Sequence, residues 1–166
     1  MKKDGFIIYD KHVAFWGSEF SNFYPCKIVI DGVEYKSSEQ GFMARKAGYF
    51  GDTETYNEIL DAKTPDEAKQ LGRKVKGYND WEWANVREEM MYQIVLQKFL
   101  QNNDLQLLIT RKDLMDKSFV EGSPFDGIWG VKMDYRNPDI DNEENWNGTN
   151  LLGKVLNRVR DYLLRK

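Results

Sequence analysis

The chemistry open to this sequence is narrowed first by its scarce residue types. The 166 residues include one histidine, His12, and one cysteine, Cys26. A single histidine cannot build a multi-histidine metal site, and a lone histidine in a strand is expected to be structural. Cys26 has no basic cluster beside it that would favour a thiolate, so we expect a small buried hydrophobe there. Glycine-rich phosphate loops are also missing, which leaves carboxylate chemistry.

Two carboxylates are candidates for that chemistry. Glu39 follows two serines at the predicted start of a helix, where the partial positive charge of the helix favours an ionised carboxylate. There it could act as an acceptor, a general base or a stabiliser of nearby positive charge. Asp126 lies in a Gly- and Pro-rich loop next to Phe125. Ordinary roles fit both residues too, because acids are common in first turns and Asp commonly closes turns in such loops.

Aromatic side chains could supply flat surfaces around these acids. The sequence has five Trp, nine Tyr and nine Phe, together 14% of the chain. The segment Ser21–Pro25, which contains Asn22 and Phe23, and the side chains of Trp83 and Trp129 are of the type that would hold a heterocycle. Burial in a core is the alternative for each aromatic residue, and the residue type alone does not decide between the two.

Short strands are predicted in the first part of the chain. Asp31-Gly32 stands between two alternating segments, which is the strongest local signal for a β-hairpin. Runs of β-branched and aromatic residues at Phe6–Tyr9 and Val13–Trp16 predict two further strands. We therefore expect a small antiparallel sheet.

Helices are predicted for most of the remainder. Ser37–Gln40 has the capping-box pattern and opens a helix that should stop near Gly48–Gly51. Thr64–Glu67 has the same pattern with Pro at the first helical position, and starts a helix that runs toward Val75. Further along, the pattern predicts a long helix that is capped by Asn79 or Asp80, has an apolar stripe from Trp83 to Phe99 and ends near Asn102. A short apolar segment follows at Leu105–Ile109. The C-terminal stretch predicts an amphipathic helix with Asn150 as candidate cap.

Length and charge bound the class of protein. One α+β domain over residues 1–166, mainly helical with a small antiparallel sheet, is expected. The net charge of −3 argues against a general nucleic-acid or membrane-surface binder. No apolar run is long enough to span a membrane, and the start Met1–Asp4 does not lead into an apolar signal segment. A cytoplasmic location is therefore expected.

Several short motifs, in order, resemble one known family. They are Phe20–Pro25, Asp31-Gly32, Ser38–Gln40, Ala44–Ala47, Leu71–Arg73, Trp83 with Val86 and Met90, Lys98-Phe99, Glu121–Gly130 and Trp146–Gly153. The chain is identified on these motifs as a member of the NADAR family, also called YbiA-like proteins. The resemblance runs from Phe15 to the C-terminus. This sequence departs from several relatives in having Gln40-Gly41 where they have a His and an aromatic residue.

The resemblance implies an N-glycosidase, which hydrolyses the bond between a ribosyl C1 and a nitrogen. Such a site needs a carboxylate near C1, because positive charge builds there as the bond breaks. Glu39 matches the essential family glutamate, and Asp126 would orient sugar hydroxyls or the base. Trp83 and Trp129 would stack on the substrate and exclude water, beside Asn22 and Phe23. Lys46 would contact phosphate or form a Schiff base with the opened sugar, and Arg73 is a second candidate for phosphate. No metal or cofactor is required.

Three functions remain open at this stage. The first is removal of ADP-ribose from guanine, in a small molecule or in a single-stranded or flipped nucleotide. The second is hydrolysis of phosphorylated intermediates of riboflavin synthesis. A non-catalytic module that binds ADP-ribose or a nucleotide is the third, and a carboxylate beside an anionic ligand argues against it. The sequence does not indicate the oligomeric state.

Overall fold

The computed structural model describes residues 5–166, so Met1–Asp4 and the expectation drawn from them lie outside the described residues. The chain is α+β and mainly helical, with small sheets, as the sequence predicts. Its elements fall into two units. One unit is formed by residues 22–102, and the other by residues 5–21 together with residues 103–166. Among the described residues, no helix has the length and the apolar character needed to cross a membrane.

The unit of residues 22–102 holds a β-hairpin and four helices. Strands β1 (Phe6–Ile8), β2 (His12–Phe15) and β5 (Ser118–Glu121) belong to the other unit. The elements here are β3 (Ile28–Ile30), β4 (Val33–Tyr35), α1 (Ser38–Tyr49), α2 (Thr53–Leu60), α3 (Pro65–Gly72) and α4 (Asp80–Gln101). Asp31 and Gly32 both have positive φ, 52° and 81°, so the predicted hairpin turn is confirmed.

Helix α1 is the central helix of this unit and packs on α2, α3 and α4. Its predicted start is confirmed, because Ser37 is the N-cap and its hydroxyl accepts the Gln40 N–H. The side-chain Oε1 of Gln40 accepts the Lys36 N–H, one residue further back than in the usual capping box. Thr64 and Asn79 cap α3 and α4 in the same way, as predicted. Helix α2, capped by Asp52, was not predicted, and α3 ends at Gly72 rather than near Val75.

The other unit is built on a three-stranded sheet. Its strands are β1 (Phe6–Ile8), β2 (His12–Phe15) and β5 (Ser118–Glu121), in the order β1-β2-β5, and its helices are α5 (Asn103–Ile109) and α6 (Leu151–Arg165). β1 pairs antiparallel with β2, as expected, but β5 was not predicted and pairs parallel with β2. The sheet is therefore mixed rather than purely antiparallel.

The burial of the two scarce residue types can be compared with the sequence-based expectations. His12, predicted to be structural, is 2% exposed, and its Nδ1 lies 3.0 Å from Asp141 Oδ1. Cys26, expected to be buried, is only partly buried. The predicted apolar stripe of α6 is buried at each of its five positions: Leu152, Val155, Leu156, Val159 and Leu163.

Asn150 precedes α6, but its side chain does not cap the helix. The residue has φ of 54°, and its amide reaches strand β5 instead. Its Oδ1 accepts the Glu121 N–H and its Nδ2 donates to the Phe119 carbonyl, both at 3.0 Å. Asn150 is therefore the N-cap residue of α6, as the sequence predicts, but its side chain makes no capping hydrogen bond, because two backbone groups at the end of β5 take the amide.

Replacing Asn150 by Gly is expected to lower the free energy of unfolding by about 1–3 kcal/mol. Glycine keeps the positive φ without strain, so the loss reports on the two buried backbone groups that lose their partners. Asp31→Gly is the matched control, since Asp31 also has positive φ but is exposed, and it should change stability little. Urea unfolding of both variants measures the effect. Equal midpoints for the two variants would contradict this role of Asn150.

Candidate active site

The first turn of α1 is fixed by the segment that precedes β3. The Glu39 N–H donates to the Asn22 carbonyl oxygen at 3.0 Å. The Ser38 hydroxyl donates to Asn22 Oδ1 at 2.8 Å, and Asn22 itself is 8% exposed. The first of these bonds occupies a backbone donor that a helix start leaves without a helical partner, and the second ties the Ser38 side chain to the same residue. Asn22 was predicted to bind substrate, and that role stays a prediction. In the structure Asn22 holds the first turn of α1, which carries Glu39, and Glu39 is 9% exposed.

Lys46 lies two turns after Glu39 on the same helix. The spacing of seven residues puts both side chains on one face of α1. The Lys46 Nζ donates to the Gly72 carbonyl at 2.9 Å and lies 4.6 Å from the centroid of the Tyr78 ring. Burial lowers the pKa of the Lys46 ammonium; the negative charge of Glu39 raises it by less, and the positive charge of Arg73 lowers it further. The charges of Glu39 and Arg73 therefore both act on the Lys46 ammonium.

The contact between α1 and the end of α3 depends on Gly72. A Cβ built on Gly72 would overlap the Met43 sulfur and lie 3.0 Å from the Met43 Cγ. No such carbon fits unless Met43 moves, so glycine allows α3 to end against α1. That close approach places the Gly72 carbonyl within hydrogen-bond distance of Lys46. Arg73, which follows, is exposed, and its guanidinium donates to Gln70.

A cluster of aromatic rings around Trp83 extends to Tyr78, the ring beside Lys46. Trp83 is 5% exposed, with its ring 5.2 Å from that of Phe42 and 6.0 Å from those of Tyr49 and Phe50. The Phe50 ring in turn lies 5.4 Å from Tyr78. Trp83 is thus a packed member of an aromatic cluster, and its predicted stacking on substrate stays a prediction. Phe23, 37% exposed, has the Lys69 ammonium 5.7 Å from its ring.

Tyr78 is the residue here that the sequence analysis missed. Its hydroxyl donates to Asp80 Oδ1 at 2.7 Å, and burial, together with Asp80, raises the pKa of the phenol. The segment that carries Tyr78 is held by Asp52, whose Oδ2 accepts the Lys76 N–H at 2.8 Å. A Gly-Tyr-Asn stretch between two helices looks like an ordinary connection in sequence. Nothing local in it signals that a lysine from α1 reaches the ring.

Asp126 and Trp129 belong to the other unit, in the loop after β5. Asp126 Oδ1 accepts the N–H groups of Ile128 and Trp129, at 2.8 and 2.9 Å. The turn-closing role that the loop composition suggested is therefore present. Trp129 is partly buried, whereas Phe125 is 77% exposed, with its ring 5.9 Å from Trp16. The chemical roles expected of Asp126 and Trp129 stay predictions.

A cavity of about 240 Å³ lies on another side of α1. It is lined by Ile30, Asp31, Val33, Tyr35, Ala44, Arg45, Gly48, Tyr49, Tyr56 and Met90. Three of its α1 residues, Ala44, Arg45 and Gly48, face away from Glu39 and Lys46 by the periodicity of the helix. Within the part of the chain that the structure describes, no three His, Cys, Asp or Glu side chains gather as they would around a metal ion.

The family motifs lie along both units of the chain. A model of the NADAR domain matches residues 11–164. The chain belongs to the NADAR family. Within that family it is 34% identical over 165 residues to N-glycosidase R617 of Acanthamoeba polyphaga mimivirus, covering 92% of this chain and 96% of that protein. The NADAR assignment made from the short motifs is therefore confirmed.

Two further NADAR relatives bear on function and fold. Riboflavin biosynthesis protein VVA0006 of Vibrio vulnificus is 34% identical over 145 residues, covering 86% of this chain but only 35% of that protein. The solution structure of the E. coli protein YbiA superposes with a TM-score of 0.74 at 26% identity, covering 97% of this chain and 89% of YbiA. The NADAR fold expected from the sequence is thus the fold observed.

The state of Lys46 can be tested by its reactivity. Because burial lowers its pKa, the neutral amine should be populated at a lower pH in the folded chain than in the unfolded chain. The folded state then binds this proton less tightly, so Lys46 opposes folding below its folded pKa, and this penalty fades as the pH rises through that value. Reductive methylation across a pH series, read by peptide mass spectrometry, should show a lower midpoint for Lys46 in native than in urea-denatured protein. Equal midpoints would contradict this.

Proposed function

We propose that this chain is an N-glycosidase that hydrolyses a ribosyl C1–N bond, with ADP-ribose joined to guanine as the substrate. The class of reaction is supported by a relative named as an N-glycosidase that matches over almost its whole length. The observation that carries the proposal is the pairing of Glu39 with Lys46 on one face of α1. It places one carboxylate and one amine of lowered pKa within electrostatic reach of each other.

Glu39 is the group that would stabilise the transition state. As the C1–N bond breaks, positive charge develops at C1 and at the ring oxygen, and the base leaves with the bonding electrons. A carboxylate that is held in place gains more interaction energy with that charge than with the neutral ground state. Asn22 accepts hydrogen bonds from the Glu39 N–H and the Ser38 hydroxyl, and these bonds hold the first turn of α1 in place. Because the carboxylate is already positioned, it can stabilise the developing charge with little reorganisation of solvent. A water molecule then adds to C1, and its proton passes to the carboxylate or to the leaving base.

Lys46 could serve in either of two ways. As a cation it would attract the phosphate groups of the substrate, with Arg73 as a second positive charge. As a neutral amine, which burial favours, it could add to C1 of the ring-opened riboside and displace the base. The C1–N bond to the base then breaks as a Lys46–C1 imine forms, the base leaves with the proton of the amine, and a water molecule hydrolyses the imine to the free sugar and Lys46. The Gly72 carbonyl accepts from the amine in the present arrangement and would keep it oriented toward the same side as Glu39.

A second candidate substrate is a phosphorylated pyrimidine riboside of riboflavin synthesis. It is favoured by the relative that is named a riboflavin biosynthesis protein. Both substrates share a ribosyl C1–N bond and a phosphate, so the same Glu39 and Lys46 chemistry would apply. The net charge of −3 favours a nucleotide presented singly, in a small molecule or a single strand, over long duplex DNA.

The proposal is tested by supplying both substrates. The protein is incubated with an oligonucleotide that carries ADP-ribosylated guanine and, separately, with the phosphorylated pyrimidine riboside, and released products are detected by mass. We expect faster release from the ADP-ribosylated guanine. Faster release from the pyrimidine riboside would select the second candidate. Binding without release of any product would leave a nucleotide-binding module and overturn the proposal.

A further inference from the structure

The cavity on the far side of α1 has no part in the proposed reaction. It lies wholly within one unit of the chain, between the β3–β4 hairpin and helices α1, α2 and α4. Arg45 and Gly48, which line it, lie on the face of α1 opposite to that of Glu39. Its volume of about 240 Å³ is that of roughly eight water molecules at about 30 Å³ each. One six-membered ring with a small substituent fits such a space.

Small residues on this face of α1 make room for the cavity. Gly41, Ala44 and Gly48 recur at the spacing of one helix face, and their side chains occupy little volume. A Cβ built on Gly41 would lie 3.3 Å from the Tyr35 ring, so this ring packs directly against the backbone of α1. A Cβ built on Gly48 would meet only the Tyr56 ring, at 4.0 Å. The space beside Gly48 is therefore open.

Polar groups are gathered around Tyr35 in the cavity wall. Tyr35 is 4% exposed, and burial raises the pKa of its phenol to about 12; Tyr56 raises it as well, while Arg45 lowers it by less. The phenol is therefore uncharged at neutral pH. Among the described residues that line the cavity, Arg45 carries the only positive charge. Strand β4 and helices α1 and α2 thus bring two hydroxyls and one guanidinium to the same wall.

Arg45 can hold an anion in the cavity. Its side chain has five N–H groups, and the hydrogen bond from Nη1 to Gln93 Oε1, at 3.1 Å, uses one of them. None of the ion pairs formed within residues 5–166 includes Arg45, so no acid neutralises its charge. The planar guanidinium matches the two oxygens of a carboxylate.

Asp31 limits the charge of an anion that suits the cavity. It contributes to the lining from the hairpin turn, whereas Tyr35 lies at the far end of β4. The lining thus carries one positive and one negative charge, which disfavours an anion of charge −2. The remaining side chains of the lining, apart from the two hydroxyls, are apolar or aromatic: Ile30, Val33, Ala44, Tyr49 and Met90. An apolar ring with a single carboxylate matches this lining.

We propose that this cavity binds a small aromatic monocarboxylate. Arg45 holds the carboxylate, with the hydroxyls of Tyr35 and Tyr56 in the same wall, and the ring packs against the apolar lining. Because the site lies on the face of α1 opposite to Glu39, it does not depend on the proposed function. Binding there and release of base from an N-riboside can each occur without the other.

The site is tested by NMR titration of nitrogen-15-labelled protein with benzoate and with benzamide, which has nearly the same shape but no charge. Benzoate should bind at least about 10-fold more tightly, as expected for a charge-assisted contact, and should shift the amides of β4 and of residues 44–48. Arg45→Gln should remove this preference. Arg165→Gln, which changes an exposed arginine in the last turn of α6, should keep it.

Four results of the titration would overturn the proposal. They are no binding of benzoate, equal binding of benzoate and benzamide, shifts confined to residues 103–166, and an unchanged preference in the Arg45→Gln variant. Phenyl phosphate, with its charge of −2, should bind more weakly than benzoate. Tighter binding of phenyl phosphate would contradict a site for monocarboxylates.

Two substitutions at Gly48 test the cavity without changing charge. Gly48 is exposed and does not have a positive φ, so a side chain fits the backbone there. Gly48→Ala adds a carbon at ordinary contact distance from Tyr56 and should keep benzoate binding. Gly48→Leu extends into the cavity and should weaken benzoate binding at least about 10-fold by steric overlap. Unchanged affinity in Gly48→Leu would overturn the site, even where Arg45→Gln does not fold by circular dichroism.

Glu39→Gln separates this cavity from the candidate active site. The variant should bind benzoate as the wild-type protein does, because Glu39 faces the other side of α1. Loss of benzoate binding in Glu39→Gln would place the benzoate beside Glu39 and overturn a separate site. Base release is measured on the same samples, so the proposed function succeeds or fails independently of benzoate binding.

Discussion

Glu39→Gln is expected to lower the rate of base release by about 1000-fold. The amide keeps the size of the side chain but carries no negative charge to the developing cation at C1. Ligand binding should be largely kept, because the loss falls on the transition state rather than on the ground state. The helix start should also survive, since its hydrogen bonds come from Ser37, Ser38 and the backbone. Single-turnover release of base and calorimetric titration with ADP-ribose measure the two effects separately.

Glu82→Gln is the matched control for that variant. Glu82 also lies in the first turn of a helix, α4, but is exposed. It should leave the rate of base release within a factor of about two, as surface substitutions generally do. A near wild-type rate for Glu39→Gln would remove Glu39 from the mechanism. An equal loss for both variants would indicate an effect on helix starts rather than on chemistry.

Trp83→Ala is expected to lower the free energy of unfolding by about 3–5 kcal/mol, as for other large-to-small changes in a core. The side chain is 5% exposed and packs against Phe42, Tyr49 and Phe50, so its removal leaves a cavity beneath the end of α1. Trp81→Ala, two residues earlier on the same helix, removes an indole that is 76% exposed. That control should shift stability by less than about 0.5 kcal/mol. Urea unfolding curves measure both.

A second substitution at Trp83 distinguishes a role in packing from a role in binding substrate. Trp83→Phe keeps an aromatic ring in the cluster and should recover much of the stability. If Trp83 also stacks on substrate, this variant should raise KM while it remains folded. A small stability loss for Trp83→Ala, similar to that for Trp81→Ala, would contradict the packing described here.

Local patterns allowed much of the unit of residues 22–102 to be predicted. The hairpin at Asp31-Gly32 and the starts of α1, α3 and α4 depend on interactions within four residues, which the sequence displays directly. The pairing of β5 with β2 could not be read in this way. The two parallel strands lie about one hundred residues apart in the sequence, so no local turn motif indicates that they pair.

Within the candidate site, the relation between residues of one helix could be predicted, but their neighbours from other elements could not. Glu39 and Lys46 could be placed on one face because helical spacing fixes their relation. Tyr78 was missed, because its position beside Lys46 depends on how the segment before α4 packs against α1. The contacts of the Asn150 side chain could not be predicted for a similar reason, since β5, the strand that takes its amide, was itself not predicted.

The reaction itself is tested most directly by running it in water labelled with oxygen-18. Hydrolysis of the C1–N bond of ADP-ribosylated guanine should place one labelled oxygen on the ribosyl product and none on the released guanine. Both roles considered for Lys46 give this outcome, because water supplies the oxygen at C1 in each. ADP-ribose incubated alone in labelled water corrects for exchange at the anomeric carbon. Labelled guanine, or a ribosyl product with no label beyond that exchange, would contradict N-glycosyl hydrolysis by this protein.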